Sequence, residues 1–220
     1  MAEFLASLAA EPYEHRGIPH SEMALIIGTC RMHDIKVVIE SGRARGQSTY
    51  MLAKYLPDAI IHSFELRNHP DELFAQERLK DFGNVNLYGG NGSEMVPLLA
   101  AEMICPTAVL CDGPKGAAAV DIIAKCFSNP WVRVGFAHDM RRLDHGGPSP
   151  HRAYAVERFP NVMFSDDIME SRMDPWIDAG LDANVAAANG PVGPDHVKEF
   201  GSYGPTVGVF VNPSPLIKQS

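Results

Sequence analysis

Residues 37–49 read VVIESGRARGQST: an apolar, β-branched run that closes on Glu40, small residues at alternate positions Gly42, Ala44 and Gly46, and a polar stretch opening at Gln47 and Ser48. β-Branched residues favour a strand, and small residues let the backbone turn sharply and approach a ligand closely. The first N–H groups of a following helix have no intrahelical acceptor, so those near Gln47 and Ser48 offer donors to an anionic group. A dinucleotide fold calls for G-x-G-x-x-G. Counted from Gly42, Ala44 takes the second glycine position and Gln47 the third, which weakens a nicotinamide dinucleotide reading.

The alternation of strand and helix continues outward. Apolar runs at 36–40 (KVVIE), 59–65 (AIIHSFE), 84–88 (NVNLY), 107–112 (TAVLCD) and 132–139 (VRVGFAHD) predict five strands. Helical patterns at 47–55, 70–82, 93–103 and 115–127 separate them, and 20–32 predicts a helix leading into the first strand. Strands alternating with helices predict an α/β fold, a doubly wound and mostly parallel sheet covered on both faces, with right-handed crossovers. Beyond 139 the order loosens: a polar loop at 144–150, a short helix at 151–159, a sixth strand at 161–164 and a final strand at 206–211. Residues 140–205, with many glycines and prolines between 189 and 205, are expected to shape or cover a substrate pocket. One domain over 1–220 is expected, with 1–34 as an N-terminal helical segment.

The 220 residues are 45% hydrophobic and 21% charged, enough for one core that buries roughly 70% of the unfolded surface. A formal charge of -8 opposes a phosphate backbone, so nucleic acid is not expected as a partner. Cys30, Cys105, Cys111 and Cys126 show no CxxC spacing, and reduced core thiols in a cytoplasmic setting are expected. The apolar run 4–10 follows Glu3 and is too short for a membrane span, which takes roughly 18 residues or more. It reads as a docking helix, and no membrane partner is expected. Met95, Leu98, Leu99 and Met103 stand at helical spacing and read as core; Arg141 and Arg142 read as a solvated pair, and oligomeric state is open.

Glu65 closes the second strand 19 positions after Gly46. In a doubly wound sheet the carboxyl ends of adjacent strands open on one crevice, where a carboxylate accepts hydrogen bonds from a ribose diol. Alone, Glu65 equally reads as a solvated strand end. With Glu40 it predicts two acids facing one pocket.

The pattern E-x-G-x-x-x-G at Glu40, Gly42 and Gly46, followed by Glu65, Asn91 and Asp112 at successive strand ends, resembles the class I S-adenosylmethionine-dependent methyltransferases. The likeness runs from about 35 to 139, with 206–211 as the last, antiparallel strand. What the resemblance implies is a Rossmann-like sheet of seven strands with S-adenosylmethionine as cofactor. Glu40 and the backbone around Gly42, Gly46 and Ser48 would hold the methionine part. Glu65 would bind ribose, with Asn91, Gly92 and Ser93 near adenine. Ala44 departs from the family's middle glycine, and the turn accommodates it if φ is negative there.

The DGPKG stretch from Asp112 to Gly116 stands at the fourth strand end, and His138 and Asp139 at the fifth. Asp112 can bind the cofactor amine, hold a metal or act as a base. His138 is a candidate base, since an unperturbed imidazole titrates near ~6.5, and equally a plain loop histidine. The metal-dependent O-methyltransferases of this family place acids at the same two strand ends, so the resemblance implies Mg²⁺ or another divalent ion on Asp112 and Asp139, with Met140 a poor third ligand. Further candidate ligands, Asp144, His145 and His151, follow. No proline-aromatic motif follows Asp112 of the kind found in amine-directed nucleic-acid methyltransferases. The acceptor expected is an oxygen of a small polar molecule. Two other readings stay open: a nucleotide-binding oxidoreductase on a similar sheet, and a cofactor-binding partner protein without catalysis.

Overall fold

The computed structural model describes residues 2–14, 17–66, 70–141, 143–144, 147–165 and 206–213. The elements are α1 (Ala2–Ala9), α2 (His20–Met32), β1 (Val37–Ser41), α3 (Gln47–Tyr55), β2 (Ile60–Glu65), α4 (Glu72–Leu79), β3 (Val85–Gly89), α5 (Gly92–Ala101), β4 (Thr107–Cys111), α6 (Ala117–Cys126) and β5 (Val132–Ala137). A two-residue pair follows, β6 (Leu143–Asp144) and β7 (Gly147–Pro148), then α7 (Pro150–Arg158), β8 (Met163–Phe164) and β9 (Gly208–Val211). The stretch read as a plain loop at 144–150 therefore contains a short antiparallel pair, Leu143 opposite Pro148, and the first residue of α7.

Seven strands form one sheet in the order β3-β2-β1-β4-β5-β9-β8. β1 to β5 run parallel, as the sequence pattern predicts, and β9 is antiparallel to both β5 and β8, as the resemblance implies for the last strand. The order reverses at β1, flanked by β2 on one side and β4 on the other. Crevices form at such a reversal because the crossover helices leave in opposite directions.

Strand periodicity divides the core into two layers. Val38, Ile61, Leu110, Val134 and Phe136 point to the face covered by α1, α2 and α3. Val37, Ile39, Val109, Cys111 and Val132 point to the face covered by α5 and α6. Every residue of β1 and β4 is buried, and each fully buried aliphatic side chain contributes about 1.5–3 kcal/mol. Cys30, Cys111 and Cys126 are buried free thiols, with burial pushing those of Cys30 and Cys126 up to about 12. Among the described residues no helix is long and apolar enough to cross a membrane.

The stripe expected as core on α5 is only half so: Leu99 and Met103 pack against the core, whereas Met95 and Leu98 are exposed. The helix packs over β1, β2 and β4 beside α6, and its outer apolar edge is exposed.

Candidate active site

The same periodicity fixes where the two predicted acids go. Glu40 and Ser63 are register partners in β1 and β2, on the face that α3 covers. The Glu40 carboxylate accepts hydrogen bonds from Ser48 Oγ, Thr49 Oγ1 and Ser63 Oγ, each at 2.5 Å, and is wholly buried. Burial raises its pKa, and the three hydroxyls partly offset that. Glu40 thus anchors the start of α3 beneath the turn and does not line a cavity. The expectation that Glu40 and Glu65 face one pocket is corrected: both belong to the same face of the sheet, but Glu40 stands short of its strand end, covered by the start of α3, while Glu65 stands at the open strand end.

The turn itself follows the small-residue pattern. Gly42, Ala44 and Gly46 all have positive φ, at 92°, 45° and 79°. The negative φ expected at Ala44 is not what the turn adopts, and its backbone N–H is held by Glu65 Oε2 at 2.7 Å. A side chain at Gly42 would overlap the backbone N of Gly113, so β1 and β4 leave the sheet in direct backbone contact. Gly46 serves a different purpose: a Cβ there would press on Leu79 and Ala75 of α4. It sets helix packing, whereas the resemblance implied contact with the methionine part.

On one side of the turn lies a cavity of about 210 Å³ lined by Ser41, Gly42, Phe64, Glu65, Leu66, the run 90–93, Gly113 and Pro114. Glu65 is half-buried, and its other oxygen accepts from the Leu66 backbone N–H at 2.8 Å. Asn91 caps α5 by accepting from Ser93 N at 3.1 Å. Gly92 is required because a Cβ would overlap Ser41 Oγ, which donates to the Gly113 carbonyl. Gly42, Glu65, Asn91, Gly92 and Ser93 therefore come together on one wall.

Across the turn a second cavity of about 410 Å³ is lined by Glu14, Gly17, Arg43, Gln47, Ser48 and Asp112, among others. Glu14, Gly17 and Ile18, between α1 and α2, line it from one side, and Glu14 pairs with Arg45 at 2.8 Å and Arg78 at 2.6 Å. Those bonds hold the Glu14 carboxyl below its ordinary range against the opposing effect of burial. Gln47 Oε1 accepts from the Glu14 backbone N–H at 2.7 Å. Arg43 is 2% exposed and donates to the Ser63 carbonyl at 2.7 Å. Sequence reasoning passed over Arg43 and the side chain of Gln47, although both belong to the glycine segment.

A charge cluster closes the end of the larger cavity where β4 and β5 finish. His138 Nδ1 donates to Asp112 Oδ1 at 2.6 Å, and Nε2 lies 3.2 Å from Glu22 Oε2 on α2, an ion pair. Lys115 pairs with Asp112 and with Asp139 Oδ2 at 2.9 Å. Burial alone would lower the His138 pKa, but the carboxylates of Glu22 and Asp112 outweigh it and push the ring up to about 10. His138 is therefore a protonated clasp at neutral pH, and the role of neutral base expected for it is corrected. Burial alone would likewise lower the Lys115 pKa, but Asp112 and Asp139 outweigh it and raise the pKa above its ordinary value. Asp139, at a positive φ of 61°, is raised by burial and lowered more by His138 and Lys115. Glu22 carries no local sequence signal, since its partner stands on β5. Lys115, three residues after Asp112, was readable as a nearby partner.

A pH dependence follows. A group whose pKa rises from 6.5 when unfolded to about 10 when folded contributes stability that is full below about 6.5 and is lost as pH climbs towards 10. Urea unfolding of the wild-type chain is expected to lose free energy between pH 7 and 10 more steeply than that of His138→Gln. Parallel curves would contradict the clasp.

The divalent ion implied for Asp112 and Asp139 does not fit the residues present. Ligand atoms of Asp112, His138 and Asp139 do lie within 4.8 Å of one another, but the Lys115 ammonium stands between the two carboxylates. Met140 is buried in the core. Of the other predicted ligands, His151 packs its ring against Gly116; His145 and the side chain of Asp144 lie outside the described residues. So do Arg142 and most of the expected substrate-covering region.

No protein-family model matches the chain, and no curated protein matches it. Solved structures do, across most of its length. The O-methyltransferase TomG from Streptomyces achromogenes, involved in tomaymycin synthesis and solved with S-adenosylmethionine, aligns with a TM-score of 0.53 at 16% identity, over 96% of this chain and 90% of that one. Precorrin-6y C5,15-methyltransferase from Geobacter metallireducens gives 0.54 at 16%, over 91% and 92%. An rRNA methylase from Streptococcus thermophilus gives 0.54 at 12%, over 89% and 97%. At these identities the likeness is one of fold, and it extends to proteins with very different named substrates.

Proposed function

We propose that this chain, which has the fold of the class I S-adenosylmethionine-dependent methyltransferases, transfers a methyl group from S-adenosylmethionine to an oxygen of a small polar molecule. The observation that carries the reading is the meeting of Glu65, Gly42 and 90–93 on one cavity at the topological reversal of the sheet. A nucleoside fits there: Glu65 faces the position of a ribose diol, and Gly42 and Gly92 allow the close contacts with Gly113 and Ser41 that build the cavity wall. The larger cavity beyond the turn, with Gln47, Ser48 and Asp112, receives the amino-acid end. When bound, the cofactor supplies an electrophilic methyl on a sulfonium.

What the chain supplies is position. Holding two reactants in line lowers a barrier by about 7–11 kcal/mol, more than a general base, which adds roughly 10²–10⁴ in rate. Asp112 Oδ1 is committed to His138 and Lys115, so Oδ2 is the oxygen left to accept a hydrogen bond from an acceptor hydroxyl. The cluster of Glu22, His138 and Lys115 holds that carboxylate in place. Hydrogen exchange with saturating S-adenosylhomocysteine tests the assignment. Protection is expected at 41–44, 65–66 and 90–93; protection confined to other strand ends would contradict it.

A further inference from the structure

Asp112 and Asp139 come from the ends of two different strands, and both converge on one nitrogen, Lys115 Nζ. The lysine follows Asp112 by only three residues, so the cation is tethered to the pair that would otherwise gather a metal. His138 Nδ1 adds a proton, not a lone pair, to the same cluster, because its partner Asp112 Oδ1 accepts. A divalent ion of the magnesium or calcium type takes oxygen ligands at about 2.0–2.6 Å and needs several of them. Here the shared oxygens already face an ammonium, and the next residue along the chain offers only a buried thioether, Met140, which is a poor ligand for such an ion.

We infer that Lys115 is the resident cation of this centre, a built-in ammonium that keeps divalent metals out of the seat between Asp112 and Asp139. The inference stands apart from the identity of the cofactor. It gives the centre a single positive charge with fixed donors in place of an ion with open coordination positions, and it makes the local structure independent of metal supply.

Mn²⁺ is the probe, followed by electron paramagnetic resonance on the full chain, with no turnover required. The wild-type chain is expected to leave Mn²⁺ free. Lys115→Ala, which strips the ammonium from the two carboxylates, is expected to bind one equivalent at least about tenfold more tightly than wild type, a difference of about 1.4 kcal/mol. Adding Asp139→Asn to that variant is expected to abolish the gain. Urea unfolding establishes that each variant is folded, and Lys115→Ser replaces the alanine variant if that one is not. Wild-type protein that binds one Mn²⁺ lost on Asp139→Asn, or a folded Lys115 variant that gains no binding, overturns the inference. Calorimetry with S-adenosylhomocysteine reports separately on the methyl-transfer reading.

Discussion

Replacing Glu65 with alanine is expected to weaken S-adenosylhomocysteine binding by roughly 10- to 150-fold, the equivalent of about 1.5–3 kcal/mol for a charge-assisted hydrogen bond. Its carboxylate does two things at once. One oxygen holds the N–H of Ala44 and so braces a non-glycine residue at positive φ; the carboxylate's remaining lone pairs face the smaller cavity. Glu65→Gln separates the two effects, because the amide oxygen still accepts from Ala44 while the charge is gone. Because the Leu66 N–H then loses its acceptor, glutamine is expected to fall between wild type and alanine both in affinity and in urea stability. A folded alanine variant with unchanged affinity would remove Glu65 from the binding site.

The largest loss of stability is expected from Gly42→Ala. Positive φ costs an L-residue about 1–2 kcal/mol, and the new methyl would overlap the backbone of Gly113, where neither strand exit can yield without moving β1 against β4. Overpacking of this kind adds typically about 1–3 kcal/mol. The sum, about 2–5 kcal/mol, corresponds to a drop in Tm of roughly 4–20 °C, at about 2–4 °C per kcal/mol for a chain of this size. Cofactor affinity is expected to fall with it, since Gly42 and Gly113 share the smaller cavity's wall. A loss under about 1 kcal/mol would mean that the turn relaxes and that the close strand contact is not a constraint.

The contrast between Glu40 and Glu65 shows what a sequence of this type discloses. Strand and helix positions follow from local periodicity, which is why α2, α3 and β4 lie where the pattern puts them. Residues that end a strand also declare themselves, and Glu65, Asn91 and Asp112 all reach cavity walls. Glu40 stands one residue short of its strand end, on the face covered by the start of α3, where its carboxylate meets the Ser48, Thr49 and Ser63 hydroxyls. That outcome depends on parity and on the β1–β2 register, and a short glycine motif carries neither.

The charge cluster was legible only in part for a related reason. Asp112, His138 and Asp139 are strand-end residues and were singled out together, and they do converge. Their chemistry, however, is set by Glu22, which arrives from α2 to pair with His138 across the fold, and by Lys115, whose ammonium reaches both Asp112 and Asp139. An imidazole judged alone reads as a neutral base near ~6.5; between two carboxylates it is a cation. Pairing across the fold decides protonation, and linear spacing does not record it.

The central claim is that the crevice at the reversal of the sheet holds an adenosyl sulfonium cofactor. Isothermal titration of the wild-type chain with S-adenosylhomocysteine and, in parallel, with NAD tests it most directly. Saturable binding of one S-adenosylhomocysteine per chain with no heat from NAD is the predicted result; saturable binding of NAD with none of S-adenosylhomocysteine would contradict it.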